Sequence, residues 1–127
     1  MKEPLVSVLM PVFNAQRFLY EAVQSILSQT LVNFELIIID DGSKDDSYKI
    51  VETLSNIDKR IRLYRQNNCG ISYTRNKLLS LAKADLIAWM DADDISHPTR
   101  LEKQYTYLQA NKEYVAIGTS TIMIDED

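Results

Sequence analysis

Two short acidic stretches, Asp40-Asp41-Gly42-Ser43 and Asp91-Ala92-Asp93-Asp94, hold five of the eighteen acidic residues in this 127-residue chain. Each directly follows an apolar run, Phe34-Glu35-Leu36-Ile37-Ile38-Ile39 in the first case and Leu86-Ile87-Ala88-Trp89-Met90 in the second. Two carboxylates about 4 Å apart repel by about 4 kcal/mol at an effective dielectric of about 20. Close neighbours therefore take up protons, separate, or bind a cation. For Mg²⁺ the usual arrangement is one or two carboxylates, with substrate phosphates completing the shell; Mn²⁺ accepts similar oxygen ligands. The clustering points to a phosphate site assembled through metal rather than to a direct anion site. Gly42, Gly70 and Gly118 are the three glycines, so neither G-x-G-x-x-G nor a P-loop can be written.

Each candidate also has a plain structural reading. Taken alone, Asp40-Asp41-Gly42-Ser43 is a turn after a strand, and Asp94 or Ser96 alone is a helix cap. Asp91 and Asp93 together resist that treatment, because nothing structural requires both at one strand end. Arg75 reads most simply as a solvated helix residue and His97 as an exposed first-turn residue without a role. Trp89 and Met90 read as strand core. Tyr105 and Tyr107 belong to surface or core rather than to a stacking platform. Cys69 is the sole cysteine, which excludes an internal disulfide and a cysteine metal cluster.

The elements that must position these residues alternate. Leu5-Val6-Ser7-Val8-Leu9-Met10 reads as a buried strand stopped by Pro11 and Asn14. Residues 15–29 place Phe18, Leu19, Ala22, Val23, Ile26 and Leu27 at helical spacing. The run from Phe34 reads as a strand covered on both faces. A helix over 47–55, a strand over 61–65, a helix over 72–83 and a strand over 86–90 follow. Ser96 and Pro98 then open a helix to about Asn111, with Ser96 as its N-cap, and 115–124 reads as a last strand. Such alternation predicts one α/β domain with a mostly parallel sheet and helices on both faces. In such sheets ligands bind beyond the carboxyl ends of the strands, where strand order reverses. Both acidic stretches fall there, as do residues 11–14 and 66–70.

Composition narrows the class further. The 46% hydrophobic share fits an ordinary globular domain and excludes disorder. No apolar run approaches the roughly 20 residues of a bilayer span. Met1-Lys2-Glu3-Pro4 lacks a signal-peptide core, so the expected location is the cytoplasm, with the inner face of the membrane open to a longer protein. A net charge of −4 and a pI near 5.0 make nucleic acid a poor partner.

At these same places the chain resembles the family 2 glycosyltransferases of the GT-A fold. The matching stretches are Pro11-Val12-Phe13-Asn14, Ser25-Ile26-Leu27-Ser28-Gln29-Thr30, the run from Phe34 to its Asp40-Asp41-Gly42-Ser43 turn, Arg75-Asn76, Asp91-Ala92-Asp93-Asp94, and His97-Pro98 with Arg100-Leu101-Glu102-Lys103-Gln104. Their order and spacing together are specific. The resemblance implies a Rossmann-like domain that transfers a sugar, with inversion, from a nucleotide-diphosphate sugar, usually a UDP-sugar. The acceptor is an unspecified sugar or lipid, in glycan, cell-wall or polysaccharide biosynthesis. It implies that Pro11, Val12, Phe13 and Asn14 line the nucleotide, that Asp41 accepts from the base, and that Arg75 lies near the nucleotide. Asp91-Ala92-Asp93 matches the DXD element: Asp93 binds the Mg²⁺ or Mn²⁺ that bridges the diphosphate, while Asp91 sits by the ribose and counts with Asp93 toward the metal. Ala92 counts with the nucleotide set.

The family's general base lies in a second, acceptor-binding half, well after the DXD element, and few residues follow Asp94 here. No catalytic base is therefore assigned, and the terminal Asp125, Glu126 and Asp127 are not offered for the role. Residues 1–127 are expected to form the donor-binding half of a longer, truncated enzyme. Leu78 and Ala84 stand where the family often has glycine. The main alternative is a non-catalytic nucleotide- or metal-binding module, which the missing base favours. A haloacid-dehalogenase-like phosphatase needs catalytic elements for which no room remains. A receiver domain needs its acidic pair after the first strand, whereas Asp40 and Asp41 follow the second, and it needs a lysine that 115–124 lacks.

Overall fold

Each strand of the computed structural model, which describes residues 2–125, is a run of β-branched and other apolar residues; each helix carries a stripe of them. The elements in order are β1 (Val6–Val12), α1 (Gln16–Leu27), β2 (Phe34–Asp40), α2 (Ser47–Ile57), β3 (Ile61–Arg65), α3 (Ile71–Leu81), β4 (Leu86–Trp89) and α4 (Arg100–Ala110). The four strands form one parallel sheet in the order β3-β2-β1-β4. From β1 the chain winds outward through β2 and β3, then returns to lay β4 on the other side of β1. The order therefore reverses at β1, and that reversal opens a crevice at the carboxyl rim.

The period of two along each strand divides the core between two faces. Val6, Val8, Met10 and Val12, with Leu36 and Ile38, pack under Leu19, Ala22, Val23 and Ile26 of α1, Val51 and Leu54 of α2, and Leu101 of α4. Leu9, Ile37 and Ile39 pack against Leu78 of α3 on the opposite face, joined by Tyr64, Leu81 and Ile87. Every residue of β2 is buried, as its unbroken apolar run predicts. Among the described residues no helix is long and apolar enough to cross a membrane.

At the amino end of the sheet, on the α3 face, a polar cluster replaces the apolar core. The buried Glu35 carboxylate accepts from the Ser7 hydroxyl at 2.6 Å, the Lys83 backbone N–H at 2.7 Å and the Arg62 guanidinium at 2.6 Å. Arg62 also donates to the Leu81 carbonyl, and the Ala84 N–H donates to Ser7 Oγ. The turn from α3 into β4 is thereby tied to β1, β2 and β3. Burial alone pushes the Glu35 carboxyl upward, but the bonds from Ser7, Arg62 and Lys83 outweigh it and hold the group below its ordinary value.

Three expectations are corrected. Residues 115–124 form no strand; Val115, Ile122 and Met123 are almost wholly exposed. Strand propensity needs a neighbouring ladder to be realised, and this stretch has none among the described residues. Ser96 does not cap α4, which begins at Arg100, because the segment before it is bonded instead to the end of α1. Trp89 is not core: it is 40% exposed, whereas its neighbour Met90 points into the α1 face and is buried. Of the terminal acidic residues, Glu126 and Asp127 lie outside the described residues.

Glu35→Ala strands the Arg62 charge and two N–H or O–H donors. We expect a loss of about 2–3 kcal/mol of stability, read from the urea midpoint; a shift under 0.5 kcal/mol contradicts the role given to this cluster.

Candidate functional site

The strand ends are brought flush before any side chain is considered. The ladder runs on past β1 and β2 through Asp41 N–H to the Val12 carbonyl at 2.8 Å, Gln66 N–H to the Asp40 carbonyl at 3.0 Å and Met90 N–H to the Leu9 carbonyl at 3.1 Å. At this rim a cleft of about 300 Å³ is lined by Pro11, Val12, Phe13, Asp41, Asn68, Gly70, Ile71 and Thr74. A larger groove, about 650 Å³, lies between α1 and α2, away from every residue singled out for chemistry.

Asp41 organises the cleft. Its side chain falls on the α3 face and is 4% exposed. Oδ1 accepts from Gln66 Nε2 and from the Cys69 N–H, both at 2.8 Å, and Oδ2 accepts from the Gly70 N–H at 3.0 Å. Asn68 Nδ2 donates to the Asp41 carbonyl at 3.1 Å. Burial opposes ionisation, but the donors from Gln66, Cys69, Gly70 and Thr74 outweigh it, so the carboxyl stays below its ordinary value of 3.8. Gly42 is obligatory here: its φ is +76°, and a Cβ would lie 2.8 Å from the Asn68 backbone nitrogen. The loop over 66–70 thus folds back over the end of β2 and delivers the first turn of α3 to the cleft.

Asp40, one residue earlier, faces the other side and is 1% exposed. Its Oδ2 lies 3.3 Å from Arg65 Nε, and Arg65 in turn sits over the Tyr48 ring. Asn14, with φ +48°, is not among the residues lining the cleft. Its Oδ1 accepts from the Lys44 N–H and its own N–H donates to Ser43 Oγ. Ala15 and Gln16 N–H groups likewise bond Ser47 Oγ and Asp45 Oδ2. The start of α1 is therefore capped by the β2–α2 loop. Pro11, Val12, Phe13 and Asp41 converge on the cleft; Asn14 does not line it.

Asp91, Asp93 and Asp94 follow β4 on the same rim, with Ala92 buried between them and all three acids exposed. Asp91 Oδ1 lies 3.7 Å from an Arg75 nitrogen, longer than a hydrogen bond, and Arg75 lies over the Trp89 ring at 5.4 Å. Exposed pairs of this kind contribute about 0–1 kcal/mol. Asp94, though exposed, is pushed above its ordinary value by partial loss of hydration and then by the charges of Asp91 and Asp93, against the pull of Arg100. Arg100 sits beneath the turn, its guanidinium donating to the Trp89 carbonyl at 3.3 Å and its Nε buried without a partner. Burial lowers its pKa, and Asp94 opposes that. The carboxylates are thus near enough to repel, and they offer hard oxygen donors suited to Mg²⁺ or Mn²⁺. Among the described residues no three acidic, histidine or cysteine side chains are grouped to enclose an ion.

The segment that follows the acidic turn is held in place from α1. Gln29 is buried; its Nε2 donates to the Ser25 and His97 carbonyls at 3.0 and 2.7 Å, and its Oε1 accepts from the Leu101 N–H at 3.0 Å. Ser25 Oγ accepts from the Ser96 N–H at 2.9 Å, and Thr30 bonds the Pro98 carbonyl and the Glu102 carboxylate. Sequence reasoning quoted this stretch but gave it no task. It also missed Ile71 and Thr74, whose signal was available: they stand at i and i+3 in the turn after a flagged loop.

The family described as Glycosyl transferase family 2 matches residues 7–127. An uncharacterized glycosyltransferase of Haemophilus influenzae is 40% identical over 112 residues, 87% of this chain and 45% of that protein. The structure of S. aureus TarS 1-349 in complex with UDP-GlcNAc superposes with a TM-score of 0.78 at 24% identity, over 84% of this chain and 32% of that one. The mannosyltransferase PcManGT of Pyrobaculum calidifontis, in complex with GDP-Man and Mn²⁺, gives 0.76 at 20% identity, over 85% and 33%. The fold is thus that of the GT-A glycosyltransferases, and the chain spans less than half the length of these relatives.

In Asp41→Asn an amide N–H₂ faces donors that the carboxylate satisfied. Amide exchange at Cys69 and Gly70 should quicken about tenfold or more. Because the folded carboxyl lies below 3.8, the contribution of Asp41 to stability is complete above that pH and is lost as pH falls through the folded value. The protection of these two amides should fade over that acid range in the wild type; unchanged exchange in the variant contradicts the assignment.

Proposed function

The chain belongs to glycosyl transferase family 2, and from that premise we propose that residues 1–127 form the donor-binding part of an inverting enzyme that transfers a sugar from a nucleotide-diphosphate sugar to an acceptor hydroxyl in glycan or polysaccharide biosynthesis. The observation that carries this reading is the convergence on one rim of the cleft beside Asp41 and the acidic turn after β4. In this reading the cleft takes the nucleoside and the turn takes the diphosphate. TarS binds UDP-GlcNAc and PcManGT binds GDP-Man; for this chain we favour uridine. Asp41 Oδ2 accepts from one backbone N–H, and an ionised carboxylate oxygen has a second lone pair for a base imide N–H. Pro11, Val12 and Phe13 give the base an apolar wall, Ile71 and Thr74 the opposite one.

Arg75 stands next to Thr74 along α3 and beside Asp91, where its charge faces the diphosphate. Asp91 and Ala92 bring the backbone of the turn toward the ribose. Asp93 and Asp91 would hold Mg²⁺ or Mn²⁺, which when bound supplies Lewis acidity that offsets the negative charge of the departing nucleoside diphosphate. Inversion requires a base that deprotonates the acceptor hydroxyl on the face opposite the leaving group. We place that base, with the acceptor site, in the part of the relatives' length to which this chain does not extend.

The test is calorimetric titration of UDP with and without Mn²⁺. Asp93→Ala should abolish the metal-dependent part of UDP binding. Asp41→Ala should weaken UDP about tenfold, the scale of one charged hydrogen bond, even with Mn²⁺ in excess. Wild-type affinity in both variants contradicts the site; tight UDP binding with no donor turnover by the longer protein favours a binding module instead.

A further inference from the structure

We propose that Trp89 is a positioning residue for Arg75, keeping its guanidinium at the rim beside Asp91 where a bound donor's diphosphate lies; the role rests on the donor-binding reading above. Three observations lead to it. Trp89 is the last residue of β4 and alternates with Ile87 onto the α3 face, yet it fills no core position there and is left 40% exposed. Its indole carries the Arg75 guanidinium 5.4 Å from the ring centroid. Arg75 reaches Asp91 only at 3.7 Å, beyond hydrogen-bond range, so the carboxylate alone does not fix so long a side chain.

The physical case follows from what each contact does when a ligand arrives. Asp91 is one of the carboxylates offered to a cation. Once its charge is engaged, its hold on Arg75 weakens, and the indole face is the contact that remains. A planar guanidinium suits that face in a way a lysine ammonium does not. Keeping the cation beside the rim before the donor binds removes part of the ordering cost of binding. Because the contact already exists without ligand, its strength at an exposed site caps the ordering cost it can spare, a factor of at most about two to five in affinity.

Trp89 is the sole tryptophan, so its emission reports on this contact directly. The full chain would be titrated with UDP in the presence of Mn²⁺ and followed by calorimetry and by tryptophan fluorescence. Trp89→Leu should weaken UDP about two- to fivefold, Trp89→Phe should restore most of the loss, and the double variant with Arg75→Ala should bind no more weakly than Arg75→Ala alone. In the ligand-free chain, Arg75→Ala should change the Trp89 emission. Unchanged UDP affinity in Trp89→Leu, or losses that add in the double variant, would overturn the proposal while leaving the donor reading intact. Should Trp89→Leu not fold, identical Trp89 emission with and without the Arg75 side chain overturns it. A wild-type chain that binds no UDP overturns the donor reading and this role with it.

Discussion

One buried carboxylate sets the shape of the carboxyl rim. Asp41 is removed from water, which alone would disfavour its charge, and three N–H groups from a single loop restore what water would have supplied. The exchange works in both directions. Without the Asp41 carboxylate the Cys69 and Gly70 amides would lose their acceptor, and the loop over 66–70 would be left with the bonds of Gln66 and Asn68 to the Asp40 and Asp41 carbonyls. Gly42 makes the approach sterically possible. The first turn of α3, with Ile71 and Thr74, reaches the cleft only because this loop returns.

The same device recurs across the molecule. None of the four helices is capped by the side chain of its own N-cap residue. At the start of α1 the Ala15 N–H bonds Ser47 Oγ at the head of α2 and the Gln16 N–H bonds Asp45 Oδ2 of the β2–α2 loop, and Gln29 of the α1–β2 connection satisfies the Leu101 N–H at the start of α4. Glu35 does likewise for the turn into β4. Loop geometry in these connections is therefore a tertiary property, ordered by polar groups distant in the chain, whereas the α2–β3 turn is held locally by Asp58 and Arg60. The segment from Ser96 to Glu102, which follows the acidic turn, is tied to Ser25, Gln29 and Thr30.

That arrangement explains what was readable beforehand. Strand and helix positions follow from apolar period, a local signal, and so β2, β3 and the inner stripe of α1 lie where the residues predict them. The place of the site follows too, because carboxyl ends of parallel strands must face one rim. What escaped is tertiary. Ser96 has the composition of a cap, but its N–H is taken by Ser25. Residues 115–124 have the composition of a strand, but no ladder partner. Trp89 has the composition of core, but Met90 takes the buried position. Gln29 and Glu35 look like ordinary surface polar residues until the fold brings their partners to them.

The two acidic stretches, alike in composition, are opposite in electrostatic state. At the end of β2 the charges are largely compensated: Asp41 by N–H donors that keep its pKa low, and Asp40 by Arg65 at Oδ2 across the strand pair, its buried Oδ1 having no hydrogen-bond partner. After β4 they are not. Asp94 is pushed upward by partial loss of hydration and by its own neighbours, Arg100 beneath it is itself disfavoured by burial, and Arg75 reaches Asp91 only loosely. A carboxylate already served by fixed donors gains little from a further cation, whereas a repulsive set gains from any positive charge that enters it. The rim is thereby divided by residual charge rather than by residue type. At the β2 end Asp41 is met by fixed donors, and at the β4 turn the carboxylates repel one another, so a positive charge entering there is favoured.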